Sequence, residues 1–368
     1  MNKMFKWMNS FYHAIPLAFL NKVFAFKPDR RIEVLEQNMI QMCKISEKYS
    51  DYFFSYRVRP TKTERILVAL DDNTSEQSAI VMQGPIMLER EFTFETIKLY
   101  KKLYPKACII VSTWYDESQY VIEKIKDLGV TVVLSQKPVF AGHGNINYQL
   151  DNTKAGVLKA KEMGAKYICK TRTDQRIYHP NFMEYMINLI KAFPNDNSDF
   201  KQTQEARIIC LGMEYGNMFY PFFMSDFMYF GTTKDICQLF ETTHDLRTDV
   251  PKCDGETRRT CASENRVAEI QILRQYIDRM GGNTECTIKS YWNFVKNHLI
   301  CINKDEIGLY WPKYFVRYTE HVRNGHYHIK EQDGEFKCYN WDFINWFNLY
   351  SGTLIYREEY EKYADFIM

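Results

Sequence analysis

Four short apolar runs between residues 77 and 174 are separated by three stretches of helical spacing, and this alternation limits the possible folds. Each run is as long as a strand that is buried on both faces. Buried strands that alternate with helices usually pair in parallel and are covered by helices. The runs are 78–82, 107–111, 130–134 and 166–170, and the helical stretches are 92–104, 116–128 and 148–163. The pattern predicts an α/β protein with a mostly parallel, Rossmann-like sheet flanked by helices.

Two further apolar runs follow residue 174, and two acids in this part of the chain are candidate general bases. Runs at 208–212 and 224–231 predict strands, and Asp226 falls inside the second. A carboxylate in an apolar strand is costly unless it is paired or faces a cleft. Helical spacing over 264–280 places Glu264 in a first turn, where the helix dipole alone also favours an acid. Either carboxylate could accept a proton from a hydroxyl.

The composition is typical of a soluble globular protein and limits its partners. Of 368 residues, 45% are hydrophobic and 26% are charged, with a formal net charge of +2. This balance argues against a broad polyanion-binding surface, so nucleic acid is not expected as a partner. The ten cysteines form no short-spaced framework, and no apolar run is long enough to span a bilayer. We therefore expect a cytoplasmic protein.

The two ends of the chain differ from the middle. We expect a helical N-terminal extension, a sheet domain, and an aromatic-rich C-terminal region that packs on it, at 1–75, 76–300 and 301–368. Residues 1–31 carry six basic side chains and one acid among many aromatics. Such a segment could lie on an anionic membrane surface or dock on the domain as a helix. His326 and His328 would share one face of a strand and could help to bind a metal, although incidental surface histidines explain them more simply.

Polar turns follow three of the predicted strands. Because the carboxyl ends of parallel strands meet at one edge of the sheet, ligands bind there. The rule selects these residues: Gln83, Gly84 and Pro85; Ser112, Thr113 and Asp116; and Arg172, Asp174 and Arg176. Arginine forks grip phosphate, and a carboxylate at a strand end can hold a divalent metal or a ribose hydroxyl. A structural ion pair is the alternative reading of the third turn.

A second polar segment precedes the third helix. Gly142 and Gly144 allow close approach of a ligand to the backbone. Asn147 and Gln149 offer amide groups at the helix start, where an anionic ligand is favoured. A capped loop without a ligand would explain these residues equally well.

Four segments resemble the WavE lipopolysaccharide-synthesis family: VMQGPI at 81–86, IIVSTW at 109–114, Asn147 with Gln149, and KTRTDQRI at 170–177. The resemblance covers roughly residues 77–300, and its last segment is the most specific. The family is regarded as bacterial sugar transferases similar to the GT-A class. The resemblance implies a GT-A-like fold with a nucleotide-sugar donor at the strand ends. It also implies a glycan or lipid-linked oligosaccharide acceptor of lipopolysaccharide or capsule synthesis. The basic segment 1–31 suggests that this acceptor is met at the inner face of the cytoplasmic membrane.

The resemblance also implies roles for individual residues. GT-A enzymes commonly carry Asp-x-Asp after the fourth strand, and its last acid binds Mn²⁺ or Mg²⁺ at the diphosphate. Here Asp174 holds the last position, whereas Arg172 replaces the first acid, which puts metal dependence in question. Arg172 and Arg176 could neutralise the leaving diphosphate directly. Glu264 matches the position of the base near the start of a later helix, and Asp226 is the competing choice.

Two other functions stay open on the sequence alone. A nucleotidyltransferase acting on sugar phosphates would need a basic triphosphate loop early in the chain, and residues 83–86 are not basic. A catalytically inactive subunit that binds or assembles glycans would explain the missing first acid of Asp-x-Asp. The three functions differ in the ligand expected to bind: a nucleotide sugar, a nucleoside triphosphate, or neither.

Overall fold

The computed structural model describes residues 31–49, 58–65, 77–196, 198–212, 217–312 and 340–368. The chain divides at Pro60 into two compact units. The first contains the helix α1 (Arg31–Tyr49), and every other described helix and strand belongs to the second. Residues 1–30, His326 and His328 lie outside the described residues, so the alternatives stated for the basic segment and for the two histidines stay untested. No helix in the described ranges combines the length and apolarity needed to cross a bilayer.

A seven-stranded sheet forms the centre of the described second unit, in the order β3-β2-β1-β4-β7-β6-β8. Its strands are β1 (Ser78–Gln83), β2 (Cys108–Trp114), β3 (Thr131–Ser135), β4 (Tyr167–Arg172), β6 (Ile208–Leu211), β7 (Tyr229–Thr232) and β8 (Leu299–Ile302). Neighbouring strands pair in parallel, except that β7 runs antiparallel to both β4 and β6. A separate ladder joins β5 (Arg176–Ile177) to β9 (Leu309–Tyr310). The prediction of a mostly parallel α/β sheet is confirmed.

Helices connect and cover these strands. They are α2 (Phe92–Leu103), α3 (Gln119–Lys126), α4 (Ile146–Glu162), α5 (Phe182–Ala192), α6 (Thr233–Leu239), α7 (Arg258–Ser263), α8 (Ala268–Met280), α9 (Ile288–His298) and α10 (Phe343–Ser351). α4 lies so close to the sheet that a Cβ at Gly156 would stand 2.4 Å from Cγ1 of Val81. Glycine is required there because no side chain fits between helix and strand.

The order of the strands opens a crevice at one edge of the sheet. β1, β2 and β3 follow one another in one direction, and α4 then returns the chain so that β4 lies on the other side of β1. Gln83 at the end of β1 is therefore paired with Ser112 on one side and with Arg172 on the other. Ligand sites of open α/β sheets lie outside the carboxyl ends of the strands at such a reversal.

Two predicted elements around the candidate bases are wrong in their bounds. The strand expected at 224–231 begins only at Tyr229, so Asp226 lies in the loop that leads into β7. The helix expected at 264–280 begins at Ala268, and Glu264 instead follows the end of α7. Asn265 has a left-handed backbone (φ of 49°), which ends the helix, and asparagine tolerates this conformation better than most residues.

Candidate active site

The turns after β1 and β4 lie against each other, with the end of β2 beside them. The Thr173 amide donates to the Gln83 carbonyl at 3.1 Å, and its hydroxyl donates to the Pro85 carbonyl at 2.6 Å. The Gly84 amide donates to the Ser112 carbonyl at 3.0 Å. Gly84 has φ of +116°, and a Cβ there would stand only 3.3 Å from the Thr173 hydroxyl. Glycine therefore permits the contact between the two turns.

Arg172 and Asp174 form a partly open ion pair in this corner. The Arg172 Nε donates to Asp174 Oδ1 at 2.9 Å, and Nη2 donates to Oδ2 at 3.3 Å. The two side chains are 23% and 18% exposed. The guanidinium carbon lies 5.0 Å from the centre of the Trp311 ring. The pair presents a positive and a negative group at the sheet edge, where phosphate and hydroxyl groups of a ligand can meet them.

Arg176, which we expected to bind donor phosphate, instead has a structural role. It is buried, with only 3% exposure. Its Nε donates to the Thr96 hydroxyl at 2.9 Å, and its Nη groups donate to the carbonyls of Phe92 and Thr61 at 3.0 Å each. The guanidinium also lies 4.4 Å from the centre of the Phe92 ring. Because its fork is directed at protein acceptors, Arg176 joins α2 to β5 and does not face the crevice.

The ligand-binding side chains expected at the end of β2 and in the turn after it mostly contact the protein. Ser112 is buried and its hydroxyl donates to the Asn152 carbonyl at 2.6 Å. Thr113 is also buried, and its hydroxyl donates to Glu117 at 3.2 Å. Asp116 is exposed and pairs with Lys137, which lowers the pKa of the carboxyl below its usual value. Only Asp116 of these three could be reached by a ligand without rearrangement.

Asn147, a further expected ligand, also serves the protein. Its side chain is fully buried, and its amide nitrogen donates to the carbonyls of Phe140 at 3.1 Å and Asp245 at 2.8 Å. The Asp245 amide in turn donates to the Asn147 side-chain oxygen at 2.7 Å. Asn147 therefore ties the start of α4 to the loop after α6.

Gln149 faces a cavity of about 420 Å³, which we name the carboxylate pocket. It is lined by His143, Gly144, Gln149, Asp226, Lys252, Cys253, Asp254, Arg266, Val267, Ala268 and Glu269. The Gln149 amide donates to Asp226 Oδ2, and the Lys170 ammonium donates to the Asp226 carbonyl. Lys170 is buried, which lowers its pKa to about 8, although the negative charge of Asp226 acts in the opposite direction. These contacts hold Asp226 at the end of β4.

Glu269, in the first turn of α8, is the functional candidate that the sequence did not single out. Its pKa is raised to about 7, first because burial disfavours the charged form and second because Asp226 is close. The positive charges of Lys170 and Arg172 oppose this shift only in part. A carboxyl group that titrates near neutral pH in a cleft is suited to take up a proton. Its sequence position alone resembles that of any acid at a helix start.

The structure separates the two bases expected from the sequence. Asp226 lines the carboxylate pocket, whereas Glu264 is absent from its lining. The Glu264 side chain is 51% exposed and accepts a 2.7 Å hydrogen bond from Arg266 Nε. Glu264 thus lies outside the pocket, half-exposed and paired with the buried Arg266.

The residues around Asp174 do not fit a divalent metal. Both Asp174 oxygens accept hydrogen bonds from Arg172, which competes with a cation for the same lone pairs. Across the described ranges, no three His, Cys, Asp or Glu side chains are grouped as a metal site would require. Oxygen-rich ligand sets are what Mn²⁺ and Mg²⁺ prefer. A divalent metal at Asp174 would therefore have to displace the Arg172 guanidinium.

The chain shows distant similarity to solved structures of known proteins. No curated protein matches the chain. A cytidylyltransferase from Leptospira borgpetersenii aligns at 14% identity and a TM-score of 0.28, over 45% of this chain and 63% of that one. A Bacillus anthracis protein provisionally named as a glucose-1-phosphate thymidylyltransferase aligns at 11% identity and a TM-score of 0.30, over 55% and 83%. Similarity at this level carries no argument about activity.

The family model described as WavE lipopolysaccharide synthesis matches residues 78–368. The match includes the corner after β4, Asp226 and Glu269 of the carboxylate pocket, and the C-terminal region that our sequence resemblance did not reach. Because this match covers most of the chain, the chain belongs to the WavE lipopolysaccharide synthesis family.

Proposed function

We propose that the protein is a glycosyltransferase that moves a sugar from a nucleotide-diphosphate donor to a hydroxyl of a glycan acceptor in lipopolysaccharide synthesis. The observation that carries the proposal is Glu269, a carboxyl group with a pKa of about 7 in a pocket at the sheet edge. The Arg172–Asp174 pair lies at the same edge, at the end of β4. Membership in a lipopolysaccharide-synthesis family supports a sugar substrate.

The donor would lie across the ends of β1 and β4. The diphosphate would meet the Arg172 guanidinium, whose carbon lies 5.0 Å from the centre of the Trp311 ring, and Asp174 would accept a hydrogen bond from a ribose hydroxyl. This arrangement assigns the negative part of the donor to the corner and its sugar to the carboxylate pocket.

The acceptor would enter the carboxylate pocket. Asp226, held by Gln149, would orient it by accepting a hydrogen bond from a neighbouring hydroxyl. Ionised Glu269 would take the proton of the attacking hydroxyl as the new bond from oxygen to the anomeric carbon forms. The bond from the anomeric carbon to phosphate breaks, and the nucleoside diphosphate leaves with that electron pair. A direct displacement of this kind inverts the anomeric centre.

Positive charge at the corner matters most as the leaving group departs. Negative charge then builds on the diphosphate, so a fixed guanidinium stabilises the transition state more than the ground state. Loss of one such contact raises the barrier by about 3 kcal/mol, or roughly a hundredfold in rate. Arg172 is the cation at the sheet edge suited to this role.

The proposal is tested with the full chain and a panel of nucleotide-diphosphate sugars. Calorimetry measures donor binding, and nucleoside diphosphate release measures slow hydrolysis without acceptor. We expect one donor to bind and turn over, and Asp174→Ala to abolish turnover with an unchanged circular dichroism spectrum. Near-normal turnover by that variant would discard the corner as the donor site. Pyrophosphate release from a nucleoside triphosphate would show a nucleotidyltransferase instead, and binding of neither ligand class would show an assembly subunit.

The basic segment 1–31 leads us to propose peripheral contact with anionic lipid near lipid-linked acceptors. Sedimentation with vesicles containing phosphatidylglycerol tests this directly. We expect the full chain to sediment and a chain without residues 1–31 to stay in the supernatant. Equal sedimentation of the two would remove the proposal.

A further inference from the structure

One wall of the carboxylate pocket is attached to a distant part of the chain. Residues 364–368, which we name the terminal strip, run antiparallel to residues 255–259. The amides of Arg258 and Arg259 donate to the carbonyls of Phe366 and Ala364 at 3.1 and 2.8 Å. The Gly255 amide donates to the Met368 carbonyl at 3.1 Å, and the Met368 amide donates to the Glu256 carbonyl at 2.9 Å. The strip thus pairs, through one antiparallel bridge between Thr257 and Ile367, with the segment that follows the pocket wall.

Arg259 holds this pairing together through both ends of its guanidinium. Its Nε donates to Asp365 Oδ1 at 2.7 Å, and its Nη2 donates to Oδ2 at 3.1 Å. The Nη groups also donate to Glu361 Oε2 at 3.1 Å, and Nη1 donates to the Cys286 carbonyl at 2.8 Å. A fork engaged with two carboxylates and a carbonyl is a geometry that lysine cannot reproduce.

Glu361 connects Arg259 and the terminal strip to the helix α9. Its two carboxylate oxygens accept hydrogen bonds from the amides of Ile288 at 3.1 Å and Lys289 at 3.0 Å, at the start of α9. A carboxylate at a helix start is favoured by the free amides and by the helix dipole. The strip is therefore fixed to a buried helix and does not depend on Arg259 and Asp365 alone.

The pocket wall itself is held from two sides. Lys252, Cys253 and Asp254 line the carboxylate pocket, and Gly255 begins the pairing with the terminal strip. On the other side, Arg266 Nη1 donates to the Lys252 carbonyl at 2.8 Å. The wall lies in a polar connection between α6 and α7, which has no helix or strand of the main sheet to fix it.

We propose that Arg259 is a positioning residue of the carboxylate pocket: it clamps the terminal strip against residues 255–259 and so fixes the wall at residues 252–254 for the acceptor. The link to the acceptor rests on the proposed function, whereas the clamp itself does not. Arg259 is not a catalytic residue, because it reaches the pocket only through the backbone that it holds.

The clamp is tested by hydrogen exchange on the full chain without ligand. In Arg259→Gln we expect amides of residues 252–259 to exchange about tenfold faster while α8 stays protected, because the local opening becomes easier. Arg259→Lys should fall between the two. Arg357→Gln is the matched control: it removes the same charge from an exposed pair with Glu359, 3.6 Å apart, outside the clamp. Unchanged exchange in a folded Arg259→Gln protein would overturn the proposal. If that variant does not fold, Asp365→Asn supplies the same measurement with a smaller change.

The positioning role is tested by kinetics with whichever donor of the nucleotide-sugar panel turns over. We expect Arg259→Gln to raise the acceptor KM several-fold and to leave kcat within about twofold, since Glu269 lies on α8 and keeps its surroundings. Arg259→Lys should recover part of the KM. Faster exchange with an unchanged KM would overturn the positioning role. A wild-type protein that turns over no donor would refute the proposed function, and the exchange result would then decide the clamp by itself.

Discussion

Asp245, in the loop after α6, and the acids Asp226 and Glu269 of the carboxylate pocket have opposite surroundings. In the loop after α6, Asp245 accepts hydrogen bonds from Arg247 at 2.8 and 2.9 Å, which lower the pKa of its carboxyl. In the carboxylate pocket, Asp226 accepts from a neutral amide, and burial beside it raises the pKa of Glu269 to about 7. A guanidinium partner favours the ionised form of a carboxylate and so lowers its pKa. Burial next to a second acid instead raises the pKa of a carboxyl group. That group then exchanges its proton near neutral pH, as acid–base chemistry requires.

The largest expected effect separates an acid of the pocket from an acid in an exposed pair. Glu269→Gln should lower turnover by about a hundredfold or more, because a general base contributes this much or more. Glu264→Gln should stay within about twofold of wild type, since the half-exposed Glu264 side chain lies outside the pocket. Nucleoside diphosphate release measures both. Comparable losses in the two variants would contradict the role of Glu269 as the base.

The next effect separates two arginines of one segment. Arg172→Gln should slow turnover by about a hundredfold with an intact fold, because it removes one transition-state contact. Arg176→Gln should instead lower the free energy of unfolding by about 3 kcal/mol, because it leaves buried acceptors near Thr96 without their donor. Urea denaturation and turnover together distinguish the two. A fully stable Arg176→Gln protein would contradict its structural role.

A third effect concerns stability as a function of pH. Glu269 has a reference pKa of 4.5 and a raised value of about 7 in the folded protein. The folded state therefore binds more protons than the unfolded state between these values, and stability falls as pH rises through this window. Glu269→Gln lacks this loss, so its free energy of unfolding relative to wild type should rise by about 3 kcal/mol from pH 4.5 to pH 8. Urea midpoints at the two pH values measure the change, and a constant difference would show that Glu269 is ionised normally.

The smallest effect concerns the cause of the raised pKa. Turnover should rise with pH as Glu269 ionises, with a midpoint near its pKa of about 7. Asp226→Asn removes a negative charge beside it, so the midpoint of the remaining activity should move to lower pH. It should stay above 4.5, because burial is the larger cause. A midpoint that does not move would mean that Asp226 does not influence Glu269.

The fold and one half of the site follow from local sequence. Five-residue apolar runs separated by helical spacing predicted the parallel sheet, and the rule for strand ends predicted that Gln83 and Asp174 belong to one edge. The Thr173 hydrogen bond to the Gln83 carbonyl shows that these turns do meet. The bounds near Asp226 and Glu264 were predicted less well, because hydrogen bonds from distant residues and one left-handed asparagine decide them.

Periodicity and turn residues by themselves determined the class of fold and the place of the crevice, since both depend on neighbours in the chain. Tertiary structure alone decided which charged groups are available for chemistry. Arg172 and Arg176 are four residues apart and have the same side chain, yet only Arg172 is partly exposed at the edge. Glu264 is half-exposed outside the pocket, whereas burial and the charge of Asp226 raise the pKa of Glu269 through space. Desolvation and Coulomb interactions depend on three-dimensional surroundings, which no window of sequence contains.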